Sequence, residues 1–186
     1  LSLNDGEYKL NKVAIDQAYI NFITDSSGMM NLTALLNKIS SDTAKSQDSS
    51  NFILKSNKVI ISNSRFNLKN TQAQQQEFGV NFEDFSFNNL NIDARDFYIN
   101  SDTIALKIND LNFIDHSGFM LDKFRTDFSL CNHYLNFNKL RILAHGSSIK
   151  MNHLKMSFES WSNFSDFVNK IRLDADITNS YIKTST

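Results

Sequence analysis

Four histidines, one cysteine and a DHSG tetrapeptide are the residues of this 186-residue chain whose chemistry invites attention first. His116, His133, His145 and His153 share no i, i+4 helical spacing and none of the short Cys/His intervals of metal sites. Three of them sit in or beside turn sequences, so they read as turn and surface residues. DHSG (115–118) sets Asp, His and Ser side by side. Triad members, however, meet through the fold, with the nucleophile on a sharp turn beside oxyanion donors. Neighbours in one hairpin loop cannot face one another that way, and a glycine-containing turn is expected there instead. Cys131 is alone, so it forms neither an internal disulfide nor a thiolate cluster.

The carboxylates are scattered. Glu83, Asp84, Asp96, Asp110 and Asp122 fall in polar doublets, and Asp174 and Asp176 on an outward strand face. Two of them meeting across strands would suit glycosidase-type catalysis on envelope glycans, but nothing singles out a pair. Five glycines without a glycine-rich loop provide no phosphate cradle. NLT (31–33) and NFS (163–165) fit the glycosylation pattern, yet both look like helix starts. A net charge of −1 argues against nucleic acid, which requires a clustered basic face. The residues thus point to no catalytic centre, no metal and no cofactor.

What must be explained is the framework. There is no proline, and there are 16 phenylalanines. Proline is excluded from strand interiors because it lacks a ladder donor, so its absence suits a chain that is mostly paired strand. Beyond residue 80 apolar and polar residues alternate, the period of a half-buried strand. The alternation slips by one at polar doublets: FEDF (82–85), FNNL (87–90), ARDF (94–97), INDL (108–111), LDKF (121–124), FNKL (137–140) and MNHL (151–154). One phrase recurs around them as FNNLNI, INDLNF, FNKLRI and MNHLKM, with LNKVAI at 10–15 a variant. DK, NK and NH are poor hairpin-turn pairs. Better turns lie at SD (101–102), HSG (116–118), NH (132–133) and HGSS (145–148), which divide the region into strands near 80–100, 103–115, 119–131, 134–144 and 148–158. The doublets then fall inside strands and read as β-bulges, where two residues oppose one and the strand bends. Such bulges restore phase, so Phe137, Leu140 and Ile142 share a face despite their uneven spacing. The alternative is that each doublet is itself a turn.

The first third is different. NKVAIDQAYINF (11–22) and NKVIISNSRFNL (57–68) align without a gap at an offset of 46, as two copies of a strand pair. Between them Asn31 is placed to cap a short helix, NLTALLNKIS, followed by a polar stretch at 40–51. Late in the chain SWSNFSDFVNKI (160–171) sets Trp161, Phe164, Phe167, Val168 and Ile171 on one helical stripe, with Ser160 as cap. A final strand, RLDADITNSYIKT, follows. The expected fold is mainly β: an elongated, curved antiparallel sheet of long bulged strands with two short helices. Repeat-like strand pairs fill 1–79, and a long-strand meander plus helix fills 80–186, as one segment of a longer repeating protein. The start at Leu1, without Met, signal peptide or an 18-residue apolar run, points the same way.

A sheet with one continuous apolar face must cover it with a second sheet, with helices or with a ligand. Periodicity leaves a closed sandwich and a lipid trough both open. The expected lining of that face is Ile104, Leu106 and Ile108; Phe124, Phe128 and Leu130; Phe137, Leu140 and Ile142; and Met151, Leu154, Met156 and Phe158.

GMMNLTALLNKI (28–39) after a strand resembles the Gly, Asn-Leu, Leu-Leu segment of AsmA-like envelope proteins, and NKVIISNSRFNLKN (57–70) resembles their recurrent strand-turn-strand unit. The run from Val80 to Leu130, followed by SWSNFSDFVNKIRLDA, is similar to the amino-terminal half of TamB-like proteins of the Bacteroidetes type. The resemblance covers most of residues 10–180. It implies a longer periplasmic protein anchored in the inner membrane by an amino-terminal helix, and a U-shaped sheet with an apolar groove. It implies non-enzymatic work: carrying phospholipid or another acyl-chain lipid between membranes, or acting as a scaffold for outer-membrane protein assembly through β-augmentation. It offers no catalytic residues.

Overall fold

A computed structural model describes residues 2–4, 7–26, 30, 31, 53–72, 84–100, 102–115 and 118–184. Ten strands among them form one sheet: β1 (Ser2–Asn4), β2 (Glu7–Asp16), β3 (Tyr19–Thr24), β4 (Ile53–Asn70), β5 (Asp84–Ile99), β6 (Thr103–Asp115), β7 (Met120–Cys131), β8 (Tyr134–Ala144), β9 (Ser147–Ser157) and β10 (Arg172–Tyr181). From β4 to β10 each strand pairs antiparallel with the next, a meander whose strand limits follow the turn sequences closely. β4 has 18 residues and β5 has 16. At about 3.3 Å per residue these span roughly 59 and 53 Å, against a usual strand of about 5–6 residues.

The expectation of a wholly antiparallel sheet is corrected at the start of the chain. β2 and β3 lie end to end along β4 and pair with it in parallel, Glu7 opposite Ile53 and Tyr19 opposite Arg65. Both registers equal the sequence offset of 46, so the two copies stack like on like: Lys12 on Lys58, Val13 on Val59, Ile15 on Ile61. The Asn67 side-chain amide donates to Asn21 Oδ1 at 2.8 Å, completing an asparagine step in the same ladder.

Six of the seven doublets are bulges, not turns; Phe82 and Glu83 of FEDF (82–85) lie outside the described residues. Register shifts coincide with Asn88–Asn89, Arg95–Asp96, Asn109–Asp110, Asp122–Lys123 and Asn138–Lys139, and Asn152 is the extra residue against β10. Between β8 and β9 the ladder runs without a shift, because two doublets lie opposite each other there. Asn89, Asp96 and Lys139 hold the left-handed conformation, with φ of 50°, 54° and 55°. Asn63 on β4 does the same at 50°, and its parallel counterpart Gln17 at 54° marks the break between β2 and β3. Two two-residue turns, Asn132–His133 and His145–Gly146, join strands; His145–Gly146 is positive in φ at both positions (47° and 76°), the form that matches strand twist. At the DHSG sequence the Asp115 carboxylate accepts from Phe119 N–H at 3.0 Å, and Gly118, at φ 86°, donates to the Asp115 carbonyl. His116 and Ser117 lie outside the described residues.

The expected helix over 160–171 is corrected too. One 3₁₀ segment, Trp161–Asp166, runs into a single α turn, Phe167–Lys170. Because a 3₁₀ segment turns every three residues, Phe164 and Phe167 fall in line while Val168 swings out and is 89% exposed. At the amino-terminal end the Asn163 side chain accepts from Ser160 N–H at 3.1 Å. Asn31 uses its side chain on β3, accepting from Ile23 N–H and donating to the Asn21 carbonyl. The remainder of the expected 31–40 helix and the 40–51 stretch lie outside the described residues.

Candidate functional site: the apolar face

Because the bulges restore phase, apolar residues line up across the whole sheet. One row of directly paired residues reads Leu173, Met156, Leu135, Leu130, Ile104, Ile99, Leu54 from β10 to β4. A second reads Ile149, Ile142, Phe124, Leu111, Ile92, Ile61, Ile15 from β9 to β2. Between them Leu154, Phe137, Phe128 and Leu106 form a third. Phe137 touches Phe128 (centroids 5.2 Å) and, edge-on, Phe124 (6.2 Å), so β7 and β8 present these rings to one side. Toward the other end of the strands Phe22, Phe66, Phe87 and Phe113 make a continuous aromatic chain, tightest between Phe87 and Phe113 at 3.9 Å.

Three hydroxyls are fully buried on this face, and each satisfies strand backbone. Ser64 Oγ donates to the Ser62 carbonyl (2.9 Å) and accepts from Ala18 N–H (3.1 Å), tying the β2–β3 break to β4. Thr126 Oγ1 donates to the Asn138 carbonyl at 2.9 Å, inside the β8 bulge, and Ser56 Oγ to the Lys58 carbonyl at 2.9 Å. A bulge interrupts the ladder, and a small hydroxyl on the apolar side restores a bond where water is excluded.

Nine of the thirteen expected lining residues fall on these three rows, and Ile108, Leu140 and Met151 lie between them on the same face of β6, β8 and β9. Ile108 and Leu140 are closed off by their neighbours, Leu140 being 2% exposed, while Ile104, Leu106, Phe124, Phe128, Leu130, Phe137, Ile142, Met151, Leu154 and Met156 are half-buried. Phe158 lies past the end of β9, buried against Phe164 (centroids 5.1 Å) under the 3₁₀ segment. The face also extends over β2–β5, through Val13, Ile15, Leu54, Val59, Ile61, Ile92 and Ile99, which the sequence reading passed over. The offset-46 repeat carried that signal, since NKV and the apolar pair after it recur in both copies. All ten strands belong to one sheet whose path runs from β1 to β10 without closing, so no second sheet covers the face among the described residues.

The opposite face is polar and paired. Glu7 meets Lys55 at 2.6 Å, Asp93 meets Lys58 at 3.4 Å, and Asp96 meets Lys107 at 2.8 Å. The hydrogen bond from Lys55 holds the Glu7 carboxyl below its ordinary range, and that from Lys107 does the same for Asp96. For Asp93 the amide of Asn109, at 3.0 Å, is the larger cause, with Lys58 behind it. Asn91 donates to Asn112 and accepts from Asn63 N–H, so the abundant asparagines serve as cross-strand pairs at bulges. The described histidines bind locally: His145 accepts from Met120 N–H, His133 faces the Glu159 carbonyl, and His153 faces Asp174. Among the described residues no group of three His, Cys, Asp or Glu side chains is placed to hold a metal, and no helix is long and apolar enough to cross a membrane. No protein-family profile matches the chain, and neither a curated protein nor a solved structure is found to be similar to it.

Proposed function

We propose that this chain is a non-enzymatic segment of a lipid conduit in the bacterial envelope, shielding acyl chains on its apolar face as they pass between inner and outer membranes. The supporting observation is the single open sheet with half-buried aliphatic and aromatic rows running across its width. Bulges bend strands and increase their twist, and at this density they would curve the sheet into a U-shaped trough. The polar face would then be the outside, in the periplasm, with the full-length parent anchored in the inner membrane. Each methylene sheltered from water is worth about 0.8 kcal/mol. A bilayer shelters acyl chains equally well, so the trough has only to match the membrane and not to bind tightly, which suits passage rather than storage.

Photo-crosslinking tests this directly. Benzoylphenylalanine at Phe124 or Phe137 should capture phospholipid in cells, and the same probe at Lys58, on the polar face, should not. Equal capture at both faces would refute the trough.

One observation favours a second reading, a scaffold for outer-membrane protein assembly. Among the described residues the end strand β10 pairs only with β9, and it exposes Leu173 (51%) and Ile177 (61%). An apolar edge of this kind is a template for an added strand. Crosslinks from β10 to an unfolded barrel protein, with none from Phe124 to lipid, would favour it.

A further inference from the structure

On the polar face the register sets three cations in a line. Arg125 on β7 lies directly opposite Arg141 on β8, and Arg141 lies opposite Lys150 on β9. Like charges directly opposite each other oppose pairing. A second opposed line on this face, Lys58–Arg95–Lys107, has carboxylates at both ends, Asp93 on Lys58 and Asp96 on Lys107, whereas none of Arg125, Arg141 and Lys150 has an ion pair among the described residues. Their concentration is local, because the chain as a whole carries a net charge of −1. The line borders a surface depression of about 380 Å³, whose wall also includes Lys139, Asn152 and Thr178. Two carboxylates on the adjoining strands are already engaged, Asp127 with Lys139 at 3.5 Å and Asp176 with the Asn152 amide at 2.7 Å.

We infer that the Arg125–Arg141–Lys150 line is a binding site for a phosphate-class oxyanion. Directly opposed strand residues hold their Cβ atoms about 5 Å apart, so three cationic heads share one side within reach of a single tetrahedral anion. Guanidinium forks match phosphate oxygens two at a time, and an ammonium adds a point charge beside them. A bound anion would also relieve the repulsion along the line. The site faces away from Phe124 and Ile142, so its anion is not the headgroup of a chain lying on the apolar rows. Its phosphate is either free in solution or presented by a membrane surface.

The test uses pyrophosphate as the soluble probe, and phosphatidylcholine vesicles with and without phosphatidylglycerol as the membrane probe. Binding is followed by thermal shift and by flotation, on the protein, on Arg141→Gln, and on Lys12→Gln as a control cation on β2. The expected result is a saturable, salt-sensitive response in the protein and in Lys12→Gln that is weakened about tenfold or more in Arg141→Gln. A response to pyrophosphate assigns a soluble phosphate, and a response to phosphatidylglycerol vesicles alone assigns membrane headgroups. No response to either probe, or equal responses in Arg141→Gln and the protein, would overturn the site. Arg141→Gln should raise the melting temperature in the absence of anion, which separates loss of binding from loss of fold.

Discussion

Replacing Ser64 with alanine removes one oxygen and creates almost no cavity, so nearly all of its effect is hydrogen bonding. Ser64 is 0% exposed; its hydroxyl donates to the Ser62 carbonyl and accepts from Ala18 N–H. The Ser62 carbonyl retains a partner in Gln17 N–H at 3.0 Å. Ala18 N–H has no such replacement and becomes a part-buried orphan, costing about 1–3 kcal/mol, while the lost Ser62 bond adds roughly 0.5–1.5 kcal/mol. The expected destabilisation is about 2–3 kcal/mol, or a melting-temperature drop of roughly 4–12 °C for a chain of this size. Urea and thermal unfolding followed by circular dichroism measure it. Ser62→Ala is the control, because that hydroxyl serves only the exposed Asp16 carboxylate at 2.8 Å and should cost no more than about 0.5 kcal/mol. Amide exchange should also quicken across Tyr19–Thr24, whose strand partner among the described residues is β4. If Ser64→Ala proves as mild as Ser62→Ala, the buried hydroxyl does not hold the β2–β3 break in register.

Three further outcomes are expected. Lys139 holds φ 55°, which costs a non-glycine residue about 1–2 kcal/mol, while glycine gives back roughly 0.5–1 kcal/mol in chain entropy. Lys139→Gly should therefore be within about 1 kcal/mol of neutral and Lys139→Val clearly worse, with Lys123→Val, at a bulge without positive φ, milder than Lys139→Val; chemical denaturation ranks them. The depressed carboxyls of Glu7, Asp93 and Asp96 contribute stability that is present above the ordinary carboxylate range near pH 4 and is lost as pH falls through their lower folded values. Unfolding midpoints should thus fall on acidification below about pH 4, and Asn109→Ala should move the Asp93 titration upward in a carboxyl-detected NMR titration. Phe87→Ala removes a ring stacked on both Phe66 and Phe113, and should cost about 3 kcal/mol by urea unfolding.

The meander was legible because each of its signals is local. Period-two alternation marks a half-buried strand, and Asn132–His133 and His145–Gly146 mark its ends. The polar doublets specified the bulges for the same reason: an uneven step such as Phe137 to Leu140 has few other ways to keep one face apolar. The parallel pairing of β2 and β3 with β4 was not legible. Two similar segments announce a repeat, but their similarity is the same whether the copies pair with each other or stand apart. The helical stripe failed at Val168 because a 3₁₀ turn and an α turn share the i, i+3 step and differ only afterward. The buried hydroxyls were invisible as well, since Ser56, Ser64 and Thr126 look like polar-face residues until the bulge fixes their side. The same limit explains the lining: on β6–β9 the apolar spacing sufficed, whereas Val59 and Ile92 joined the face only through cross-strand register.

The most direct test of the apolar trough is native mass spectrometry of the protein released from membrane-containing cells, followed by solvent extraction of whatever lipid it carries. Phospholipid should be present in stoichiometric amount and absent from Phe128→Asp, whose circular dichroism spectrum should stay that of the same sheet. A protein that carries no lipid, or a Phe128→Asp variant that retains it, would contradict the trough.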